Sequence, residues 1–355
     1  MAVVQREFLA QDAALGAREI IEYCHERGWT DGLPVVPPIR EFVDEFLAQT
    51  QRDPDEVLLV QEHLNRSCNV REAAVNAVMA GCRPEYFPVV LAAMDSLHAS
   101  GITRTGLMQS TTGQAEIIIV NGPLRQTLGF NSTNNIFGPG DRANATVGRA
   151  LRLIVMNVLG IRPHEFDQST QGTSAKYVCC IAENEEESPW EPLHVERGCS
   201  PSESTVTAQL VRSDLYVEHR STQEPEEILM TIADSMSYGG AVTQVTDTRN
   251  DLGAVVVMGP EHAQLIAARG WSKQDCKQFL FENFGKPKSE LRRMGKLHPA
   301  FDAEPEEAFI PHGSSVKNVM LVVAGAANGG VSTVCPSITM GREIGKNATQ
   351  VIRTI

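Results

Sequence analysis

The chain has 355 residues, 42% hydrophobic and 21% charged, enough apolar material for a sizeable globular core and, at roughly 150 residues each, for about two domains. With 44 acidic against 31 basic side chains the formal net charge is −13, which disfavours nucleic acid and anionic membranes as partners. No apolar run approaches the ~18 residues of a membrane span and the opening residues lack a signal pattern, so the expected location is cytoplasmic. Of the eight cysteines none forms a C-x-x-C pair; scattered in this way they read as reduced, mostly buried thiols.

Residues 1–105 read as mostly helical. Leu15, Ile20, Ile21 and Cys24 recur at helical spacing and Gly28 suits the stop. A turn at Trp29 to Gly32 leads into an extended piece stiffened by Pro34, Pro37 and Pro38. Asn69 with Glu72 three residues on predicts a capping box for a helix that Gly81 ends, and Pro84 opens a third helix, Glu85 to His98.

From residue 106 the texture is α/β. The apolar run Ile117 to Val120 ends in Asn121-Gly122-Pro123, and Ala254 to Met258 ends in Gly259-Pro260; each is read as a buried strand followed by a helix. Further helices are expected over Arg142 to Leu159 and Lys273 to Asn283, and a third apolar run spans Val319 to Val323. The expected fold is therefore α/β, with two related α/β halves, 106–205 and 206–355, preceded by the mostly helical region. The alternative is that any two strand–turn–helix units look alike at this level. Pro287 to Pro311 is the loosest stretch.

No Walker A loop, H-E-x-x-H, G-x-S-x-G or EF-hand loop is present. Gly138 to Ala143 matches a loose G-x-G-x-x-A, but Asn131 to Asn135 precedes it where a strand is required, which argues against a dinucleotide site. The sequence names no cofactor. The same segment suits a different ligand: Asn134, Asn135, Arg142, Asn144 and Arg149 sit in and after a glycine-rich loop that opens a helix, and free N–H groups with a forked guanidinium hold a carboxylate or phosphate. The competing reading has Asp141 capping the helix and both arginines solvated. Trp29 and Asp31 flank a tight turn and are candidate pocket residues, although a core tryptophan and a turn-forming aspartate are simpler roles.

Two further groups carry chemistry. Glu183, Glu185 and His194 belong to a stiff stretch with Pro189 and Pro192, suited to general acid–base work or to a hard metal ion, although the spacing matches no metal-ligand signature. Glu186 and Glu187 read as solvated. Cys82 falls between two expected helices beside Arg83, a setting that stabilises a thiolate and depresses its pKa; a buried thiol filling a helix corner is the alternative. Cys179-Cys180 reads as a strand end, and Cys335 before Pro336 is a second candidate thiol.

Gly28 to Pro34 with Pro37-Pro38, Ala77 to Cys82 with Pro84-Glu85-Tyr86, Phe137 to Arg149, and Cys180 to Glu185 through Pro189 to His194 together resemble a bacterial family without an established substrate. Members of that family accompany short proteins bearing selenocysteine or cysteine in a U-G-S-C motif. The resemblance covers most of the first 200 residues and implies thiol or selenol chemistry shared with a small protein partner. It weakens at Gly330 to Cys335, where a His-Ser pair is more familiar.

The combined expectation is an enzyme acting on a small anionic, carboxylate-bearing molecule by lyase-like, thiol-assisted or acid–base cleavage of a carbon–heteroatom bond. Cys82 is the expected nucleophile or thiol donor, Glu183, Glu185 or His194 moves protons, and Trp29, Asp31, Asn134, Asn135, Arg142, Asn144 and Arg149 bind substrate. A metal-assisted hydrolase built on the Glu183–His194 loop and a non-catalytic binding subunit for a small thiol or selenol redox protein are the alternatives, and a homo-oligomer is left open.

Overall fold

A computed structural model describes residues 11–104, 106–238, 252–340 and 348–355. The opening residues, on which the reading of the N-terminus rests, lie outside this set. Helices α1 (Gln11–Glu26) and α2 (Arg40–Leu47) precede a hairpin of β1 (Val57–Gln61) and β2 (Arg66–Asn69), which the mostly helical expectation for this region did not contain. Asn69 and Glu72 form the expected capping box at the start of α3 (Val70–Ala80), and Gly81 ends that helix with φ +84°. Pro84 opens a single 3-10 turn, Pro84–Tyr86, before α4 (Phe87–Ala99).

The chain then runs through β3 (Ala115–Asn121), α5 (Leu124–Thr127), α6 (Arg142–Asn157), β4 (Cys180–Ala182), α7 (Leu193–Glu196), β5 (Thr205–Val211) and β6 (Leu215–Glu218). Next come α8 (Pro225–Met236), β7 (Gly253–Met258), α9 (Pro260–Ala268), α10 (Lys273–Glu282), β8 (Gly285–Pro287) and α11 (Lys288–Arg293). The last elements are β9 (Phe309–Pro311), β10 (Val319–Val323), β11 (Val331–Ser337) and β12 (Thr349–Val351). Cys180 is the first residue of β4, so the Cys179-Cys180 pair lies at a strand end as expected. The loose Pro287 to Pro311 stretch is closed by the antiparallel pairing of β8 with β9.

The fold is α/β, arranged as two sheets between two helical layers. Alternate residues of each central strand enter different apolar environments, as a period of two requires. Ile118 and Val120 of β3 pack with α3, α4 and α6, while Ile117 and Ile119 join Ile181, Val255, Val257 and Val322 between the sheets. On the far side Ala254, Val256 and Met258 of β7 pack with α8 and α10. Strands read as continuous apolar runs because both of their faces are covered.

The sheets have the orders β12-β5-β3-β4 and β6-β11-β7-β10. Directions match strand for strand: β3 and β7 each pair parallel with one neighbour (β4, β10) and antiparallel with the other (β5, β11), which in turn pairs antiparallel with β12 or β6. The outermost strands are exchanged. β6 follows β5 in sequence yet pairs with β11, and β12 follows β11 yet pairs with β5. The divisions at 105 and 205 do not separate packing units, since α3 and α4 cover the first sheet and β5 belongs to it. No helix among the described residues is long and apolar enough to cross a membrane.

Candidate functional site

The parallel strands β3 and β4 deliver Asn121 and Glu183 from their C-terminal ends, where open α/β sheets present ligand-binding residues. Glu183 is fully buried. Its Oε2 accepts from Asn121 Nδ2 at 2.5 Å and from the Leu193 N–H at 2.8 Å, and its Oε1 from the Val323 N–H at 3.4 Å. Burial pushes the Glu183 pKa above its usual value, against the pull of Lys273 and of these hydrogen bonds. Glu185 Oε1 accepts from the Gly122 N–H at 2.7 Å and from Asn121 Nδ2 at 3.1 Å, with Arg125 Nε at 3.3 Å. Buried Arg125 also donates to Glu186; burial works against its charge, but Glu186 and Glu185 more than offset this and raise its pKa.

His194 completes the cluster. Pro192 occupies the N-cap of the single turn of α7, and His194 lies fully inside the protein, with neither ring nitrogen hydrogen-bonded among the described residues. Its Nδ1 stands 4.0 Å from Glu185 Oε1. Asn121 Oδ1 and Thr205 Oγ1 likewise lack a hydrogen-bond partner among the described residues, and Thr205 is the cross-strand neighbour of Asn121. Each unsatisfied buried group costs about 1–3 kcal/mol, and such groups call for a reason. The three acid–base candidates read from the sequence therefore do meet, joined by Asn121, Arg125 and Thr205, which that reading missed. A polar residue ending an apolar strand was a usable signal for Asn121; Arg125 and Thr205 had none locally.

Four of the remaining candidates, Asp31, Arg142, Asn144 and Arg149, are engaged in contacts within the fold, while Trp29 lines a shallow pocket of about 300 Å³ with Pro38, Met79 and Arg162. Arg142 Nε donates to the Gly81 carbonyl at 3.0 Å and its Nη2 to the Cys82 carbonyl at 3.4 Å. Arg149 pairs with Asp31 and with the carbonyls of Leu33 and Pro34. Asn144 bridges Asn131 and the Cys180 carbonyl. Trp29 stacks edge-on against Tyr23, and its carbonyl accepts from Asn157. Donors suited to an anion suit carbonyl oxygens equally well, and here α6 uses them to hold the N-terminal segment. Asp141 occupies the N-cap position but makes no side-chain cap bond.

Cys82 corrects the expected thiolate. The side chain is buried, and burial pushes its pKa up to about 12, outweighing the Thr146 hydroxyl and the charge of Arg142. Burial likewise drives Cys335 well above the ordinary thiol value. Neither is poised as a nucleophile.

Asn134 and Asn135 line an open cleft of about 520 Å³ together with Arg220, Val257, Gly325 and Asn328. It lies at the C-terminal ends of β7 and β10, the counterpart in the second sheet of the Glu183 position. Glu183 N–H donates to Val120 O as Ala324 N–H donates to Met258 O, so Asn121, Glu183 and Asn184 occupy the places of Gly259, Ala324 and Gly325. The first sheet carries polar groups where the second carries small residues that leave room for the cleft. The two regions adjoin: Asn184 N–H donates to Val323 O at 2.8 Å, and Asn184 Nδ2 to the Gly325 carbonyl at 3.1 Å.

Among the described residues, no group of three or more His, Cys, Asp or Glu side chains is arranged to hold a metal ion. Compared with protein-family models, with curated proteins and with solved structures, the chain matches none.

Proposed function

We propose that the chain is an enzyme that performs lyase-like acid–base chemistry on a small carboxylate-bearing molecule, with Glu183, Glu185 and His194 as proton-handling groups and no participating thiol. The observation that carries this reading is His194, a buried imidazole with both nitrogens uncommitted among the described residues and a carboxylate 4.0 Å away. Imidazole is the commonest general acid–base group, and a structural histidine buried this deeply normally makes at least one hydrogen bond. The two carboxyls also occupy contrasting environments. Burial favours the neutral, proton-donating form of Glu183, whereas Glu185 faces N–H donors and a guanidinium.

In the reaction that fits, His194 removes a proton from the carbon beside the substrate carboxylate. The freed C–H pair forms a carbon–carbon double bond as the carbon–heteroatom bond breaks, and Glu183 protonates the leaving heteroatom. Glu185, with Oε1 4.0 Å from His194 Nδ1, supplies negative charge opposite the imidazolium formed in that step. A panel of small hydroxy- and amino-carboxylates in D₂O, followed by proton NMR, tests this through deuterium exchange beside the carboxylate or appearance of an alkene. Wild-type protein is expected to act on at least one of them, and His194→Gln and Glu183→Gln to lose roughly a hundredfold or more in rate. Unchanged rates in a correctly folded His194→Gln protein overturn the reading.

A further inference from the structure

We infer that the cleft at the ends of β7 and β10 is the recognition site for the substrate, and that its ligand is a monocarboxylate with a short apolar body and one further hydrogen-bonding group. That the bound molecule is the substrate rests on the acid–base reading above; the binding site itself does not.

The anion end of the cleft is the loop from Gly325 to Gly330. Gly325, Gly329 and Gly330 adopt φ of +108°, +77° and +53°, conformations that glycine allows and that let main chain line the cleft closely. The N–H groups of Ala326 and Gly329 meet no acceptor among the described residues, while Gly330 N–H is held by Glu261 Oε2 at 2.7 Å and fixes the loop's far end. Arg220 lies across this loop: a Cβ built on Gly329 stands 3.7 Å from Arg220 Nη2. Its Nε is paired with Glu218, and its Nη groups donate to nothing among the described residues.

The charge decides the class of anion. One guanidinium already facing one carboxylate leaves little net positive charge, so a singly charged carboxylate fits better than a phosphate dianion. Asn134 and Asn328 present side-chain amides free of hydrogen bonds among the described residues, able to take a hydroxyl, amine or carbonyl on the ligand. Ile136, Phe137, Val257 and Val331 form the apolar wall against which a short chain or ring packs. The cleft adjoins Asn184, the residue after Glu183, at the Gly325 carbonyl.

Titration calorimetry with benzoate, 4-hydroxybenzoate, hexanoate and inorganic phosphate tests the inference at low ionic strength. At least one monocarboxylate is expected to bind at a single site, more tightly than phosphate. Arg220→Met is expected to weaken it by about tenfold or more, Asn328→Ala to weaken 4-hydroxybenzoate selectively, and His194→Gln to leave affinity unchanged. Arg220 is well exposed, so its replacement spares the fold. Absence of carboxylate binding, affinity indifferent to Arg220→Met, or tighter binding of phosphate overturns the inference. Binding that behaves as expected in a protein with no turnover sinks the acid–base reading alone, and turnover indifferent to Arg220→Met sinks this one alone.

Discussion

Asp31 and Arg149 stand 118 residues apart in sequence and form a forked ion pair, with Nε and Nη2 each donating at 2.7 Å to a separate carboxylate oxygen. Burial opposes the charge on Asp31, but the Arg149 hydrogen bonds and charge outweigh it and lower the Asp31 pKa. The Asp31 side chain is only 4% exposed, so Arg149→Met strands a buried carboxylate and is expected to cost about 3 kcal/mol in urea unfolding. Arg149→Lys keeps the charge without the fork and should recover only part of that. A loss below ~0.5 kcal/mol for Arg149→Met would show the pair to be an exposed contact.

A second ion network sets the acid limit. Asp167 is flanked by Arg152 at 2.9 Å and Lys176 at 2.6 Å. Burial works against its ionisation, yet Lys176 and Ser169 hold its pKa at about 2, below the ordinary 3.8. The folded pKa is the lower one, so the stabilisation is complete above the unfolded value and disappears as pH falls from about 4 to about 2. Asp167→Asn should remove this part of the pH dependence, about 2 kcal/mol, from an unfolding series run across that range. An unaltered acid profile would contradict the assignment.

Thiol labelling separates burial from local charge. Seven of the eight cysteines are buried and Cys199 is partly exposed. Iodoacetamide on the native protein should modify Cys199 first and leave Cys82 untouched until urea unfolds the chain, as peptide mass spectrometry would show. Rapid alkylation of native Cys82 at pH 6 would restore the thiolate that the structure argues against.

Two glycines offer a controlled comparison. Gly122 and Gly32 both have positive φ, +86° and +97°. A Cβ on Gly122 would come within 2.2 Å of the Glu203 carbonyl oxygen, whereas one on Gly32 meets open space. Gly32→Ala should therefore cost about 1 kcal/mol of backbone strain, and Gly122→Ala at least about 2 kcal/mol, because main chain must move. Equal losses would mean that the Glu203–Ser204 backbone yields freely.

Local features were legible in the sequence. The capping box at Asn69 and Glu72 and the apolar strands β3, β7 and β10 depend on neighbours within a few residues. β5 was not legible, because Thr205, Thr207 and Gln209 look like a solvated face; the fold turns them toward the space between the sheets, where Thr207 meets Thr349 and Gln209 meets Ser337 and Thr339. At the site, Glu183, Glu185 and His194 lie on one short stiff stretch, so their proximity could be read. Cys82 misled because Arg83 and the following helix are visible in sequence, while the helices and strand that bury it are distant in the chain. Arg142 misled because a guanidinium does not reveal from its neighbours whether it will meet a guest or a carbonyl.

The exchange of outer strands has a consequence during biosynthesis. Thr207 waits for Thr349, 142 residues further on, so at roughly 5–20 residues per second β5 keeps a bare edge on the ribosome for about seven to thirty seconds. Through that interval the nascent chain offers a ready template for wrong pairing with its neighbours. A cell making much of this protein would therefore need holding factors to shield that edge until its partner emerges.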